Sequence, residues 1–131
     1  MSPALLAAGR RRYVALTTYR RSGVAVTTPV WVAASSEGLV VTTGARTGKA
    51  KRLRNDPRVE LQECSARGRV RPGAPRVAGR AEVVSDPAEQ ARLGVPLARK
   101  YGLQLRLVRA VETLAERRGH AGNVILRITD A

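Results

Sequence analysis

The residue types and spacings most able to do chemistry lie in one stretch, TGARTGKAKRLRNDPRV, Thr43–Val59. Thr47 has the character of a helix N-cap and Asn55-Asp56-Pro57 that of a stop, which predicts a short helix over Gly48–Arg54. Lys49, Lys51 and Arg52 then fall within its first turn or so, where the macrodipole is partly positive and each cation costs a few tenths to about 1 kcal/mol. Three cations in that position call for a compensating anion. The free N–H groups of a helix N-terminus already suit phosphate or carboxylate. Lys49 and Arg52, three residues apart, share a face. Together these cations form a candidate phosphate cradle, against the plainer alternative of a solvated basic helix.

The rest of the chain offers little for side-chain catalysis. There is one His, His120, in a Gly-flanked segment, and one Cys, Cys64, at the end of an alternating strand. Cys64 reads as a small packing residue rather than a nucleophile. No carboxylate pair stands at motif spacing, no nucleophile elbow is present, and a single Cys and His leave no metal-ligand set. Neither a Gly-rich dinucleotide loop nor a Walker A sequence follows any strand. Such a chain is suited to chemistry that resides in a bound cofactor, with the protein supplying binding, orientation and exclusion of water.

The chain has 131 residues, 44% of them apolar, which describes a single folded domain spanning 1–131. Lys and Arg number 24 against 10 Asp and Glu, a formal charge of +14 that asks for an anionic partner. Only three of the cations are Lys, and Arg's planar fork suits phosphate and carboxylate. Nucleic acid is one such polyanion. Its usual stacking platforms are missing, however: Tyr13, Tyr19, Trp31 and Tyr101 are scattered, and the cations precede a helix rather than line one. No apolar run reaches the ~18–20 residues needed to cross a bilayer, and the start, MSPALLAAGRRRYV, lacks signal-peptide order. A cytoplasmic protein with no stable membrane insertion is expected.

The elements that must position the basic stretch are mostly strands. Tyr13–Tyr19 and Val24–Val32 are β-branched runs joined by Arg-Arg-Ser-Gly, and Leu39–Thr43 follows a Ser-Ser-Glu-Gly turn. Pro29, which cannot donate to a ladder, marks an edge or a bulge. Val59–Cys64 and Val77–Val84 flank an Arg-, Gly- and Pro-rich loop, and Val124–Ile128 is the last strand. Ser85-Asp86-Pro87 starts a helix. A second, amphipathic helix is predicted over Leu103–Arg118. Adjacent strands with short turns favour an antiparallel barrel or sheet with helices outside it.

Three motifs in order carry a resemblance: TTPVWVA at Thr27–Ala33, VTTG at Val41–Gly44 and TGKAKRLRNDPRV at Thr47–Val59. Together they resemble the pyridoxamine 5'-phosphate oxidase-like split-barrel superfamily, and within it the small enzymes that use the deazaflavin coenzyme F420. The resemblance implies a mainly β fold, a six-stranded antiparallel Greek-key split barrel. It also implies a homodimer that holds its cofactor in a groove at the subunit interface. In the FMN-binding oxidases the strand equivalent to Thr28–Ala33 carries an Arg at its start and a Lys at its end. Here those positions are Thr28 and Ala33. The Ser-Arg-Lys phosphate motif falls on Thr47, Gly48 and Lys49, of which only Lys49 matches.

These departures point away from FMN, the alternative cofactor, and toward F420. The resemblance then places Thr28, Pro29, Val30 and Trp31 with Thr42, Thr43 and Gly44 around the ring, and Lys49, Lys51, Arg52 and Arg54 at the phosphate. It implies hydride transfer to a small organic acceptor such as a quinone, a tetrapyrrole, a nitro compound or an enone. The proton would come from solvent or from the hydroxyl of Tyr13 or Tyr101. A split barrel that carries FMN or heme without this chemistry is the competing expectation.

Overall fold

The computed structural model describes residues 1–44, 48–102 and 123–131. Seven strands form one antiparallel sheet: β1 (Val14–Tyr19), β2 (Ala25–Val30), β3 (Ala33–Ser35), β4 (Gly38–Gly44), β5 (Arg58–Glu63), β6 (Val77–Val84) and β7 (Asn123–Asp130). Their order in space is β2-β1-β5-β6-β7-β4-β3. The two outermost strands, β2 and β3, are therefore consecutive in the chain, separated only by Trp31 and Val32. That link spans at most about 11 Å from Val30 to Ala33, whereas six inter-strand spacings in a flat sheet would hold the edges about 29 Å apart. The sheet has to curl until its edges meet, and it becomes a barrel split along the β2–β3 line. Pro29 lies on one of these edges, paired with Ala15 of β1 on its inner side.

Alternation along the strands sorts side chains into two cores. Val14, Leu16, Leu39, Val41, Leu61, Leu126 and Ile128 point into the barrel and are wholly buried. Val40, Val84 and Ile125 point outward, under Leu93, Leu97 and Tyr101 of two helices, α3 (Pro87–Leu93) and α4 (Val95–Tyr101). Asp86 caps α3, its carboxylate accepting from the Glu89 N–H at 3.0 Å, with Pro87 at the first turn, as expected from the sequence. The chain then re-enters a helix after Gly94, which the sequence reading did not separate.

Two further helices complete the barrel. The first, α1 (Pro3–Gly9), is capped by Ser2 Oγ, and Leu5 enters the interior; this helix was not anticipated. The helix after β4, α2 (Gly48–Asn55), packs on β1, β4 and β6 and buries Ala50 and Leu53. The expected N-cap Thr47, the expected helix over Leu103–Arg118, and His120 lie outside the described residues. The expected six strands become seven because Ala33–Ser35 pairs with Gly38–Val40 in a tight hairpin. Cys64 is buried, and burial raises its thiol pKa, in keeping with a packing role.

Gly38 closes the β3–β4 turn with φ at +135°, and a Cβ there would collide with the Ile128 carbonyl. Gly73 also has positive φ, +76°, but nothing lies within 4 Å of where its Cβ would be. Gly73→Ala should therefore cost about 1 kcal/mol, the left-handed penalty alone. Gly38→Ala should cost more than about 2 kcal/mol, because backbone strain and a backbone clash add. Urea unfolding of both variants measures the difference.

Candidate cofactor-binding site

The hairpin partner β3 is only three residues long, so β4 from Val41 to Gly44 continues beyond it. Across the gap stands the end of β2 with Trp31. This gap is a cavity of about 320 Å³ lined by Tyr13, Pro29, Val30, Trp31, Thr42, Thr43, Lys49 and Ala66. It lies at the small end of the range of about 300–1,000 Å³ typical of small-molecule sites, and most of its walls are apolar. Six of the eleven residues expected at the site meet here: Pro29, Val30, Trp31, Thr42, Thr43 and Lys49. Tyr13, immediately before β1 and expected as a proton source, lies here too, and Ala66, in the Arg-rich loop, joins through tertiary packing that its sequence neighbourhood does not signal.

Among the described residues Lys49 supplies the cavity's only charged side chain. It is half-buried, and no hydrogen-bond acceptor or carboxylate among the described residues engages its ammonium. Desolvation, then repulsion from Arg52, holds its pKa below the ordinary lysine value. An ammonium short of both water and counter-charge is a receptor for an anion.

The other expected residues are placed elsewhere. Thr28 pairs with Leu16 across β1 and so faces the barrel interior, where its hydroxyl is buried with no hydrogen-bond partner among the described residues. Gly44 ends β4 in register with Asn123 and is absent from the cavity wall. Lys51, Arg52 and Arg54 line a second depression of about 450 Å³ together with Asn55 and with Arg20 and Arg21 of the β1–β2 turn. Arg52 Nε donates to Thr18 Oγ1 at 2.6 Å, and its pKa is lowered by desolvation and by Arg20. Among the described residues this groove carries five cations and no carboxylate.

The dipole argument is corrected for two of these cations. The helix ends at Asn55, so Arg52 and Arg54 occupy its last turn, where a positive charge is favourable. Tyr101 is corrected too. Its hydroxyl accepts from the Val32 N–H and is bonded to the carbonyls of Val32 and Arg12, each at 2.8 Å, and burial raises its pKa. It is 3% exposed and does not line the cavity, which leaves Tyr13 as the phenol there.

A larger cavity of about 660 Å³ lies between β3 and α3–α4. Its Glu37 and Arg92 are ion-paired with each other, and Glu37 also bonds Arg127 at 3.3 Å. The smaller cavity is the better candidate because six of the residues expected at the site meet there and its lining is mostly apolar. Among the described residues no group of three or more His, Cys, Asp or Glu is arranged to hold a metal ion, and no described helix is long and apolar enough to cross a membrane.

The buried Thr28 hydroxyl gives a direct check of this placement. An unpartnered buried hydroxyl costs about 1–3 kcal/mol, and Val has nearly the same shape. Thr28→Val should raise stability by about 1 kcal/mol in chemical denaturation of the ligand-free protein, an outcome expected only if Thr28 faces the interior.

Among functionally curated proteins none matches the sequence. Solved structures share the fold. The heme storage protein HutZ from Vibrio cholerae superposes with a TM-score of 0.66 at 14% identity, over 95% of this chain and 84% of that one. An F420 reductase does so with a TM-score of 0.53 at 24% identity, over 96% and 91%. An FAD-binding protein from Mesorhizobium loti gives 0.57 at 19%, over 100% and 91%. These identities speak for the fold alone. The family model for pyridoxamine 5'-phosphate oxidase matches residues 3–129. With that match across nearly its whole length, and with the split barrel that goes with it, the chain belongs to the pyridoxamine 5'-phosphate oxidase family.

Proposed function

We propose that this split barrel is an F420-dependent reductase that passes a hydride to a small organic acceptor. The observation that carries the reading is the Lys49 ammonium, half-buried and without a counter-charge among the described residues, at the edge of an apolar slot. The residues present fit a planar ring with an anionic arm. Pro29, Val30 and Trp31 would cover the ring and exclude water. Thr42 and Thr43 would offer polar groups to its edge, and Lys49 would take the first negative charge. The slot is small, so the arm would leave it across α2 toward Lys51, Arg52 and Arg54, with Arg20 and Arg21 beyond. The reduced coenzyme would supply the hydride; Tyr13 is the side chain at the slot able to hold a proton for the acceptor.

F420 is preferred to FMN on two positions. Where the FMN oxidases carry cations, this chain has Thr28, turned into the barrel, and Ala33, buried under α4. That structures of the same fold include an F420 reductase, an FAD-binding protein and a heme storage protein agrees with a ring-binding site whose chemistry varies. A second copy of the chain is proposed to cover the open side of the slot.

The test is a binding titration with both coenzymes, followed by fluorescence. F420 should bind at least about tenfold more tightly than FMN, and Lys49→Met should weaken F420 about tenfold or more, the worth of one charge-assisted hydrogen bond. Tight FMN binding without F420 affinity would overturn the reading. Affinity should also fall with pH. A bound anion favours the charged Lys49, so the complex is tightest below the depressed pKa of the free protein and weakens as pH rises through it. That midpoint should lie below the ordinary lysine range and vanish in Lys49→Met.

A further inference from the structure

We propose that Lys100 and Tyr101, at the end of α4, are positioning residues that hold Trp31 in place as a wall of the Lys49 cavity. The wall is otherwise weakly anchored, since Trp31 and Val32 form the crossover between β2 and β3 and belong to neither strand. Tyr101 and Lys100 supply the anchors. The Tyr101 hydroxyl accepts the Val32 N–H and shares its one proton between the Val32 and Arg12 carbonyls, so one side chain ties the crossover to the turn after α1. Lys100 Nζ donates to the same Val32 carbonyl at 2.6 Å, to the Gly9 carbonyl at 2.9 Å, and to the Arg11 carbonyl. Its three protons thus meet three carbonyls, the full capacity of an ammonium.

The indole itself is held by a ring. Tyr101 stacks on Trp31 with centroids 4.8 Å apart and planes 11° from parallel. The far side of the clamp is cationic: the Arg12 guanidinium lies 4.8 Å from the Tyr101 centroid and Lys100 Nζ 5.3 Å. Three chain segments therefore converge on the two residues that close the barrel: the turn after α1, the crossover and the end of α4. A buried phenol and a half-buried ammonium given over to backbone bonds are more than packing this helix requires, since Leu97 already packs it from the same face. Fixing the peptide beside Trp31 and the rotation of its ring is what this pair adds.

The functional part of this inference rests on the reading of the cavity as a ring site; its geometric part does not. Trp31 is the only Trp, so its emission reports the wall without a label. The test compares Tyr101→Phe, which keeps the stacked ring and loses the hydroxyl, and Lys100→Met with Leu97→Ala, a buried packing control on the same helix. In ligand-free protein, acrylamide quenching of Trp31 should rise about twofold in the first two variants and stay near the wild-type value in Leu97→Ala, although the control also loses stability. Should Tyr101→Phe not fold, Lys100→Met decides. F420 affinity should drop about fivefold or more in the clamp variants and less than twofold in the control. Unchanged quenching in the clamp variants, or an equal rise in all three, would overturn the proposal and leave α4 a packing element. Failure of the wild-type protein to bind F420 would instead defeat the ring-site reading, with the quenching comparison still deciding the clamp.

Discussion

Two residues, Trp31 and Val32, join the outermost strands of a seven-stranded sheet, and the rest of the architecture follows from that tether. A sheet whose edges are covalently held this close has to curl, and curling is what gives the inward side chains a common interior. It also leaves a seam. The short β3 stops beside the first part of β4, so the remainder of β4 and the end of β2 face each other across a gap instead of pairing. The closure that creates the core creates the site in the same step, and the crossover residue Trp31 becomes a wall of that site. The clamp from α4 is intelligible on these terms, because the point of greatest topological constraint has the least strand pairing to hold it.

Charge is distributed around this frame unevenly. The carboxylates pair with arginines near them: Arg58 with Asp56, Arg71 with Glu63, Arg127 with Glu82 and Glu37. Exposed pairs of this kind add little stability, but they neutralise the surface around β5–β7 and the β3–β4 turn. The β1–β2 turn and the outer face of α2 receive no such answer from the described residues. Arg20, Arg21, Lys51, Arg52 and Arg54 crowd together; desolvation, then Arg20, lowers the pKa of Arg52, as desolvation, then Arg52, lowers that of Lys49.

Much of this was legible before any coordinates, and the failures have identifiable causes. β-branched runs and polar turns gave every long strand, and Asp86-Pro87 gave the start of α3. The N-terminal helix was missed because PALLAAG was weighed as a failed leader, although Ser2-Pro3 is itself a helix start. α4 has no polar N-cap to announce it: Gly94 stands at its cap without a side-chain bond and Pro96 in its first turn. In the site, strand parity would have corrected Thr28: with Val30 in the core, a residue two positions earlier faces inward as well. Helical spacing alone could not separate Lys49 from Lys51, Arg52 and Arg54, because the bond from Arg52 to Thr18 and the position of Trp31 are tertiary facts. Ala66 comes to the cavity by packing alone.

The separation of these cations constrains the ligand more than their number does. Had all four lysine and arginine side chains of α2 met in one pocket, a single compact dianion would have satisfied them, and the ring slot would have stood without polar recognition. Instead one ammonium serves an apolar slot of about 320 Å³, and the others serve a neighbouring groove of about 450 Å³. A ligand that answers both has to be planar and largely apolar at one end, negatively charged where it leaves the slot, and negative again some way along. A short phosphate ester fills only the first part of that description and leaves the groove's repulsion in place. On the reading proposed above, a coenzyme with an extended anionic arm answers both the slot and the groove, which a compact phosphate ester does not.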